Sequence, residues 1–336
     1  MSSFIRCDLE ILKRHFDVRE LMVPTFRNPL NILKLLLWIA RVDLVYTWFA
    51  GTNAFFAALF CKLLGKKSVV VVGGYEVAYV PEINYGSLLS LLERVKVKFV
   101  LRHTSMALPV SKSTAMEMLR VAKPKRFEIV YNGVDVERFK PLSKKEDLVI
   151  TVANITESTI KKKALEVFVK TAAFLPQIQF VLIGKYDNSV QQLRKIASPN
   201  VFFTGYLSDE ELLNYYRRAK VYCQLSVHES FGVALAEAMA CGCIPVATKR
   251  YALPEVVGDT GFYVPYNDPK ATAKAIKKAL KSEDKGEKAR ERIWRRFSIK
   301  TREEKLVKEI VSIFLVKNRI GGFGESFRCY SNVLSA

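Results

Sequence analysis

Glu229-Ser-Phe-Gly-Val-Ala-Leu-Ala-Glu237 is the stretch on which the reading of this chain turns. Two carboxylates bracket a Phe231-Gly232 pair and then an Ala/Leu-rich segment with helical composition. That segment runs into Cys243-Ile-Pro-Val-Ala-Thr248, which reads as a buried strand. A loop leading into a helix N-terminus is a site for anions, because unpaired N–H groups and the helix dipole point at the ligand. Were the whole span helical, the two carboxyls would sit about 12 Å apart along the axis. That is roughly the reach from a ribose, across a diphosphate, to a sugar ring. Each carboxylate can accept hydrogen bonds from a pair of hydroxyls. An anion site between two diol acceptors describes a cradle for a nucleotide sugar.

Taken with Ala238-Met-Ala-Cys-Gly-Cys-Ile-Pro-Val246 and Leu253-Pro-Glu-Val-Val257, the stretch resembles the signature of retaining glycosyltransferases of family 4, the glycosyl transferases group 1. Two glutamates at this spacing are a weak sign alone, since an amphipathic helix with a solvated glutamate supplies them. The Phe-Gly pair, the small-residue helix, Gly-x-Pro-Val and Pro-Glu-Val-Val make the combination specific. The resemblance implies an α/β protein of GT-B architecture, two Rossmann-like βαβ domains facing across a cleft.

Length and composition agree. A chain of 336 residues, half of them apolar, accommodates two domains with their own cores. The six cysteines, Cys7, Cys61, Cys223, Cys241, Cys243 and Cys329, show no Cys-x2-Cys spacing. They read as reduced thiols, which points to a cytoplasmic setting. No signal peptide is visible. The uncharged run Leu44 to Cys61 touches the length of a membrane span, but Thr47, Gly51, Thr52 and Asn53 interrupt it. A strand, a turn and a buried helix explain it better.

The formal charge is +20. Residues 1–145 hold 23 Lys/Arg against 12 Asp/Glu, a net of +11, which leaves +9 for the remainder. The excess is therefore spread over both halves. Leu88–Arg102 interleaves Leu, Val and Phe with Arg94, Lys96, Lys98 and Arg102. Such a helix can lie on an anionic membrane surface, and it can equally be a packed helix with a solvated lysine face. Nucleic-acid binding is a third account of the charge, but no zinc-finger or RNP-type motif supports it.

Strand and helix patterns alternate along the chain. Before the middle they predict helix Asp8–Arg14, strand Phe16–Met22, helix Leu30–Arg41, strand Asp43–Phe49 and helix Ala54–Leu64. The β-branched run Lys67–Val72 follows, ending in Gly73-Gly74-Tyr75-Glu76, where open α/β sheets place their ligands. Beyond the basic helix come strand Ser105–Val110, helix Lys112–Val121 and strand Phe127–Tyr131. The charged stretch Val136–Asp147 reads as a linker, after which the pattern restarts with strand Leu148–Val152. Helix Ala164–Phe174, strand Gln179–Ile183, helix Ser189–Ala197, strand Val201–Thr204, helix Asp209–Lys220 and strand Val221–Leu225 lead to the signature loop. Final helices are predicted at Pro269–Lys281 and Thr301–Val316. The expected organisation is an N-terminal acceptor-side domain over 1–141 and a nucleotide-sugar-binding domain over 142–300. A C-terminal helix and tail over 301–336 would pack back on the first domain. Residues 323–336 show no usable periodicity. The family opens with a strand and a Gly-rich loop, whereas Met1-Ser-Ser-Phe-Ile-Arg runs almost directly into a helix. The first strand is thus either missing or upstream.

The resemblance assigns roles position by position. Glu229 would hold the donor sugar's hydroxyls, and Phe231, Gly232 and Val233 would offer backbone N–H groups to sugar or phosphate. Gly232 lets a ligand approach the backbone closely. Glu237 would hold the ribose hydroxyls. The family places an Arg and a Lys on the diphosphate. Lys163 occupies the lysine position, followed by Ala164 where glycine is usual, and Asn154 stands in place of the arginine. Lys161 or Lys162 is the expected substitute. Three cations at a helix N-terminus oppose its dipole, so an anion there would relieve them. Tyr206 occupies the loop that holds the base in relatives, and Glu255 lies near the site in relatives. Glu76 becomes a candidate for acceptor orientation where many relatives carry a histidine, and His228 adjoins Glu229.

Departure of the nucleoside diphosphate develops negative charge that Lys163 and the helix-start N–H groups would stabilise. No Asp-x-Asp is convincing, so neither a metal nor a cofactor is expected. Retention, through an oxocarbenium-like state, is implied by the resemblance only. The expected function is transfer of a sugar from a nucleotide-sugar donor to a glycan or lipid-linked acceptor, by an enzyme cytoplasmic or peripheral on the inner face of a membrane. A sugar-nucleotide epimerase or phosphorylase on the same fold is an alternative, as is a basic nucleic-acid-binding protein. A dehydrogenase is disfavoured because no Gly-x-Gly-x-x-Gly follows a predicted strand.

Overall fold

The structure is a computed structural model that describes residues 2–21, 28–142, 144–315 and, for the backbone alone, 328–332. The chain divides into two compact units, one of Met1–Gly133 with Lys300–Ala336 and one of Val134–Ile299.

Unit 1 runs α1 (Ser3–His15), β1 (Asp17–Glu20), α2 (Pro29–Ile39), β2 (Leu44–Trp48), α3 (Thr52–Leu63), β3 (Lys67–Val72), α4 (Leu91–His103), β4 (Met106–Pro109) and α5 (Lys112–Val121). Unit 2 continues with β5 (Glu146–Val152), α6 (Glu157–Lys162), α7 (Leu165–Ala172), β6 (Gln179–Ile183), α8 (Val190–Arg194), β7 (Val201–Phe203), α9 (Asp209–Arg218), β8 (Ala219–Gln224), α10 (Val233–Ala240), β9 (Ile244–Thr248), α11 (Leu253–Val257), β10 (Phe262–Val264), α12 (Pro269–Lys281) and α13 (Lys285–Phe297). The chain then returns to unit 1 with α14 (Ile299–Leu315) and β11 (Arg328–Asn332).

Both sheets are parallel. Unit 2 has the order β10-β9-β8-β5-β6-β7. This is the doubly wound Rossmann order, in which the winding reverses between β5 and β8. Its strands are apolar on both faces, as a sheet covered by helices on each side requires. Val149, Phe180, Leu182, Val221, Cys223, Ile244 and Val246 join Phe168 of α7 and Ile276 of α12 in one core. Unit 1 has the order β1-β11-β2-β3-β4. Val70 and Val72 pack there with Val97 and Leu101 of α4, and Val45 packs with Leu35 and Ile39 of α2.

Several expectations are corrected. The boundary expected after residue 141 falls after Gly133, because Val134 is tied to the far end of unit 2. Its N–H donates to the Phe297 carbonyl at 2.8 Å and its carbonyl accepts from Ile299 at 3.0 Å. The stretch read as a linker is strapped to unit 2 by two arginines. Arg217 donates to the carbonyls of Arg138 and Lys140, and Arg290 to those of Phe139 and Val136. The strand predicted at Phe127–Tyr131 is only an isolated bridge to Ala107. Its neighbour on β4 is Pro109, which accepts from Val130 but has no N–H to return, so the ladder stops. The uncharged run Leu44–Cys61 is divided between β2 and α3, and among the described residues no helix is long and apolar enough to cross a membrane. The part of the 323–336 tail outside β11 lies beyond the described residues.

A buried ion pair fixes the return of the chain. Arg302 of α14 meets Asp8 of α1 at 2.5 and 2.7 Å, both side chains being almost fully buried. Asp8 also accepts from the Tyr46 hydroxyl at 2.5 Å, and Arg302 donates to the carbonyls of Val130 and Tyr131. The pair is thus surrounded by hydrogen-bond partners, which is the condition for a buried pair to be tolerated.

Candidate functional site

In a doubly wound sheet the crevice at the carboxyl ends of the strands where the winding reverses is the place for a ligand. In unit 2 those ends are Val152 of β5 and Gln224 of β8. The loops that follow carry most of the residues singled out from the sequence.

After β8 the loop turns back so that Glu229 faces the strand end it has just left. Its Oε2 accepts from Gln224 Nε2 at 3.1 Å and from Ser226 Oγ at 3.3 Å, with Gln224 also donating to Ser226 at 2.6 Å. Gln224 and Ser226 are buried, Glu229 half-buried. Ala252 at the start of α11 donates to the Glu229 carbonyl at 3.2 Å, which brings Glu255 of that helix alongside the loop. The span from Glu229 is not wholly helical. α10 begins at Val233, and Gly232 adopts φ 90° and ψ 60°, the left-handed region that glycine enters without strain. Space is not the reason, since a Cβ there would meet neighbours only at 3.5 Å. The helix thus starts immediately after the turn and aims its first N–H groups into the loop. Phe231 is buried and packs edge-on against Phe297 at 5.5 Å, so what it can offer a ligand is its backbone.

About one turn along α10, Glu237 is half-buried and accepts from the Tyr216 hydroxyl at 3.2 Å. Burial pushes its carboxyl up to about 7, with the Tyr216 bond and the Arg138 charge pulling the other way and Asp209 adding to the rise. Lys163 closes α6, and its Nζ donates to the Val152 carbonyl at 3.3 Å. Burial lowers its pKa, the Glu229 charge opposes that fall, and Lys162 adds to it. The Val227 N–H donates to the Lys162 carbonyl at 2.8 Å, joining the two loops beside the switch point. Lys163, Glu229, Gly232 and Val233 are therefore gathered around the crevice, with Glu237 farther down α10.

Other candidates fall differently. Lys161 to Lys163 lie at the C-terminus of α6 and directly before α7, whose N-cap is Ala164, so the α6 dipole favours them while the α7 start opposes them. Lys161 is exposed and pairs with Glu157 at 3.2 Å along the same helix. Asn154 is exposed at the start of the β5 loop, where its carbonyl accepts from Thr159 Oγ1. Tyr206 is 69% exposed with the Lys185 ammonium 4.6 Å from its ring centre, a platform open to a planar group. His228 is fully buried with its ring 4.2 Å from that of Tyr251. Glu76 belongs to unit 1, where its two carboxylate oxygens accept from the N–H groups of Gly73 and Gly74 at 2.8 and 2.9 Å. Burial pushes that carboxyl up to about 7 against the bonds from its own loop. It holds the β3 loop in shape. His103 stacks on Phe99 and bonds its carbonyl, and His15 meets Glu303 at 2.7 Å.

The sequence reading missed Tyr216, Gln224 and Ser226. The two on the β8 side precede the signature directly, so buried polar residues just ahead of a ligand loop were the available signal.

Two family models match the chain. Glycosyl transferases group 1 covers residues 134–296, and Glycosyltransferase Family 4 covers 10–138. N-acetyl-alpha-D-glucosaminyl L-malate synthase of Bacillus anthracis is 25% identical over 298 residues, 82% of this chain and 74% of that protein. Sulfoquinovosyl transferase SQD2 of Arabidopsis thaliana is 23% identical over 66% of this chain, a match that spans 46% of its length. Among solved structures, HepE of Anabaena in complex with UDP and glucose superposes with a TM-score of 0.78 at 17% identity, covering 93% of this chain and 96% of that one. Sucrose-phosphate synthase of Thermosynechococcus elongatus gives 0.72 at 21% identity, over 86% and 78%. The fold is GT-B.

Proposed function

The chain belongs to the glycosyl transferases group 1, Glycosyltransferase Family 4, and on that premise we propose that it moves a sugar from a nucleotide-sugar donor to a glycan or lipid-linked acceptor, with retention of configuration and without a metal. The observation that carries this reading is the pair Glu229 and Glu237 on either side of Gly232 and the α10 N-terminus, at the switch point of a doubly wound sheet. Glu229, its Oε2 held from behind by Gln224 and Ser226, turns its remaining lone pairs to the donor sugar's hydroxyls. The N–H groups of Gly232 and Val233 and the Lys163 ammonium take the diphosphate and stabilise the charge that grows as the C–O bond breaks. Glu237 takes the ribose diol and Tyr206 the face of the base. Glu255, brought alongside the Glu229 loop, completes the donor pocket.

A thermal-shift panel of UDP-, GDP- and ADP-sugars tests the reading, since a ligand that binds the native state raises its melting point by mass action. One donor should stand out, Glu237→Ala should abolish its shift, and Glu229→Gln should keep nucleotide binding while losing transfer. A panel with no shift, or a Glu237→Ala variant with unchanged affinity, overturns it. Transfer should survive EDTA. Free epimer formed without acceptor would show the epimerase instead.

We also place the enzyme in the cytoplasm, resting on an anionic membrane through α4. Leu91, Leu92 and Val95 are exposed at the start of that helix, and Arg94, Lys98 and Arg102 are exposed along it. Apolar side chains inserted among anionic headgroups with lysine and arginine beside them give such a helix its affinity. Sedimentation with phosphatidylglycerol vesicles, and loss of it in Leu91→Ser/Leu92→Ser, is the check. Equal binding to phosphatidylcholine vesicles would count against it.

A further inference from the structure

The geometry points to Tyr216 as the positioning residue of the ribose-binding carboxylate: its hydroxyl holds Glu237 Oε2, so that Oε1 is left to face a vicinal diol as an ionised acceptor. This rests on the donor-binding reading of Glu237.

Tyr216 is fully buried in the last turn of α9 and its ring cannot wander. It lies 6.1 Å from Phe139 and 6.2 Å from Tyr222. The backbone is pinned as firmly as the ring. The Tyr216 carbonyl accepts from Lys145 Nζ at 2.8 Å and from Cys243 Sγ at 3.1 Å, and Cys243 opens the turn into β9. The phenol oxygen is thereby fixed from three elements, and it donates to Glu237 Oε2 at 3.2 Å. A phenol donates one hydrogen, so one carboxylate oxygen is engaged from within the core and the other is left for the ligand. Hydrogen bonds from diol hydroxyls are strongest to an ionised carboxylate.

Burial works against that ionisation. The Glu237 carboxyl is pushed up to about 7 and the Tyr216 bond is the largest influence pulling it down. The other charged groups that face it are Arg138, which favours the anion, and Asp209, which disfavours it. Tyr222 and the Cys241 thiol also lie within electrostatic reach. Arg138 is itself shared with Asp209 and Glu210 at 3.9 and 3.2 Å, so Tyr216 is the direct hydrogen-bond donor to this carboxylate that the structure places at a fixed point.

The Tyr216→Phe substitution removes the donor and leaves the ring. NMR of carboxyl-labelled protein reads the Glu237 titration without any ligand, and it should move to higher pH in Tyr216→Phe. Calorimetry with UDP, GDP and ADP then reads the function. The Kd of the nucleotide that binds should rise roughly tenfold at pH 7 and less than twofold at pH 9, where the carboxyl is ionised in both proteins. The donor KM should follow and kcat should not. Glu237→Gln, neutral at every pH, should bind equally weakly across the range, and adding Tyr216→Phe to it should change nothing further. An unmoved titration, or equal weakening at pH 7 and pH 9, overturns the positioning role. A moved titration in a protein that binds none of the nucleotides at any pH sinks the donor reading instead and leaves the Tyr216–Glu237 pair standing.

Discussion

Unit 2 and unit 1 are both parallel sheets flanked by helices, but they are assembled from the chain in different ways. Unit 2 is one uninterrupted stretch, and its ladder grows by short crossovers apart from the single return from β7 to β8. Unit 1 puts β11, a strand from the far end of the chain, between β1 and β2. β11 pairs Cys329 to Asn332 with Leu44 to Thr47 on one side and Arg328 to Ser331 with Asp17 to Glu20 on the other. Among the described residues β1 has no other strand partner. Local crossovers can close one loop at a time, whereas the unit 1 sheet waits for partners roughly three hundred residues apart. The candidate donor residues Glu229, Gly232, Glu237 and Lys163 lie in the unit with the self-contained sheet.

The strongest way to break this contrast is to end the chain at Leu315. Removing β11 costs unit 1 two ladders and should cost on the order of its whole stability, about 5–15 kcal/mol. Hydrogen exchange should show the amides of β2 and β3 losing protection while those of β5, β6 and β8 keep theirs, with nucleotide binding retained. An undiminished unit 1 would mean that β11 is not needed there. Next in size is Arg302→Ala, which leaves the Asp8 carboxylate in the core without its counter-charge, the Tyr46 hydroxyl still bonded to it, and should destabilise unit 1 by about 3–5 kcal/mol in denaturant titrations. Arg302→Met with Asp8→Leu should recover much of it.

A smaller effect touches both units at once. Glu76 in unit 1 and Glu237 in unit 2 each have a carboxyl pushed up to about 7 from an ordinary 4.5. The native state therefore holds protons that the unfolded state has lost, so stability falls as pH rises from about 4.5 to 7 and levels off above. The slope should be at most about 1.4 kcal/mol per pH unit for each group. Glu237→Gln should flatten it for unit 2 alone, which separate melting of the two units by pH-dependent hydrogen exchange would read. Smallest is Ala164→Gly. Ala164 sits at φ 48° and ψ 47°, a left-handed conformation that costs an alanine about 1–2 kcal/mol. Part of the gain is lost to the extra freedom of glycine when unfolded, so unit 2 should gain under about 1 kcal/mol, seen as a small rise in Tm.

What could be read from the residues follows the same division. Lys67–Val72, Lys112–Val121, Gln179–Ile183 and Pro269–Lys281 are elements whose limits agree with the periodic pattern, because each is an unbroken apolar run or a capped amphipathic helix. α6 has six residues and β10 three, too short to show a period, and α13 is so charged that its buried stripe of Ala289, Ile293 and Phe297 is hidden among arginines and lysines. β11 reads Arg-Cys-Tyr-Ser-Asn, which lacks the Val/Ile run of a central parallel strand, so its place depends on its two neighbours. At the site, Glu229 and Glu237 stood out because a motif surrounds them. Tyr216, Gln224 and Ser226 did not, since a buried polar side chain within a strand or helix declares its target only when the chain is folded. The three lysines were read only as preceding the α7 start, because α6, which they also end, went unread.

The position of β11 also bears on the order in which a ribosome delivers the parts. Chains usually complete their domains in the order of synthesis. Here α1 and β1 leave the exit tunnel ahead of unit 2, yet the strand that joins them to β2 emerges only after all of unit 2 has been made. The second unit made is the first that can finish, and the earlier part of the nascent polypeptide waits with an unfilled gap in its sheet until translation has passed Asn332.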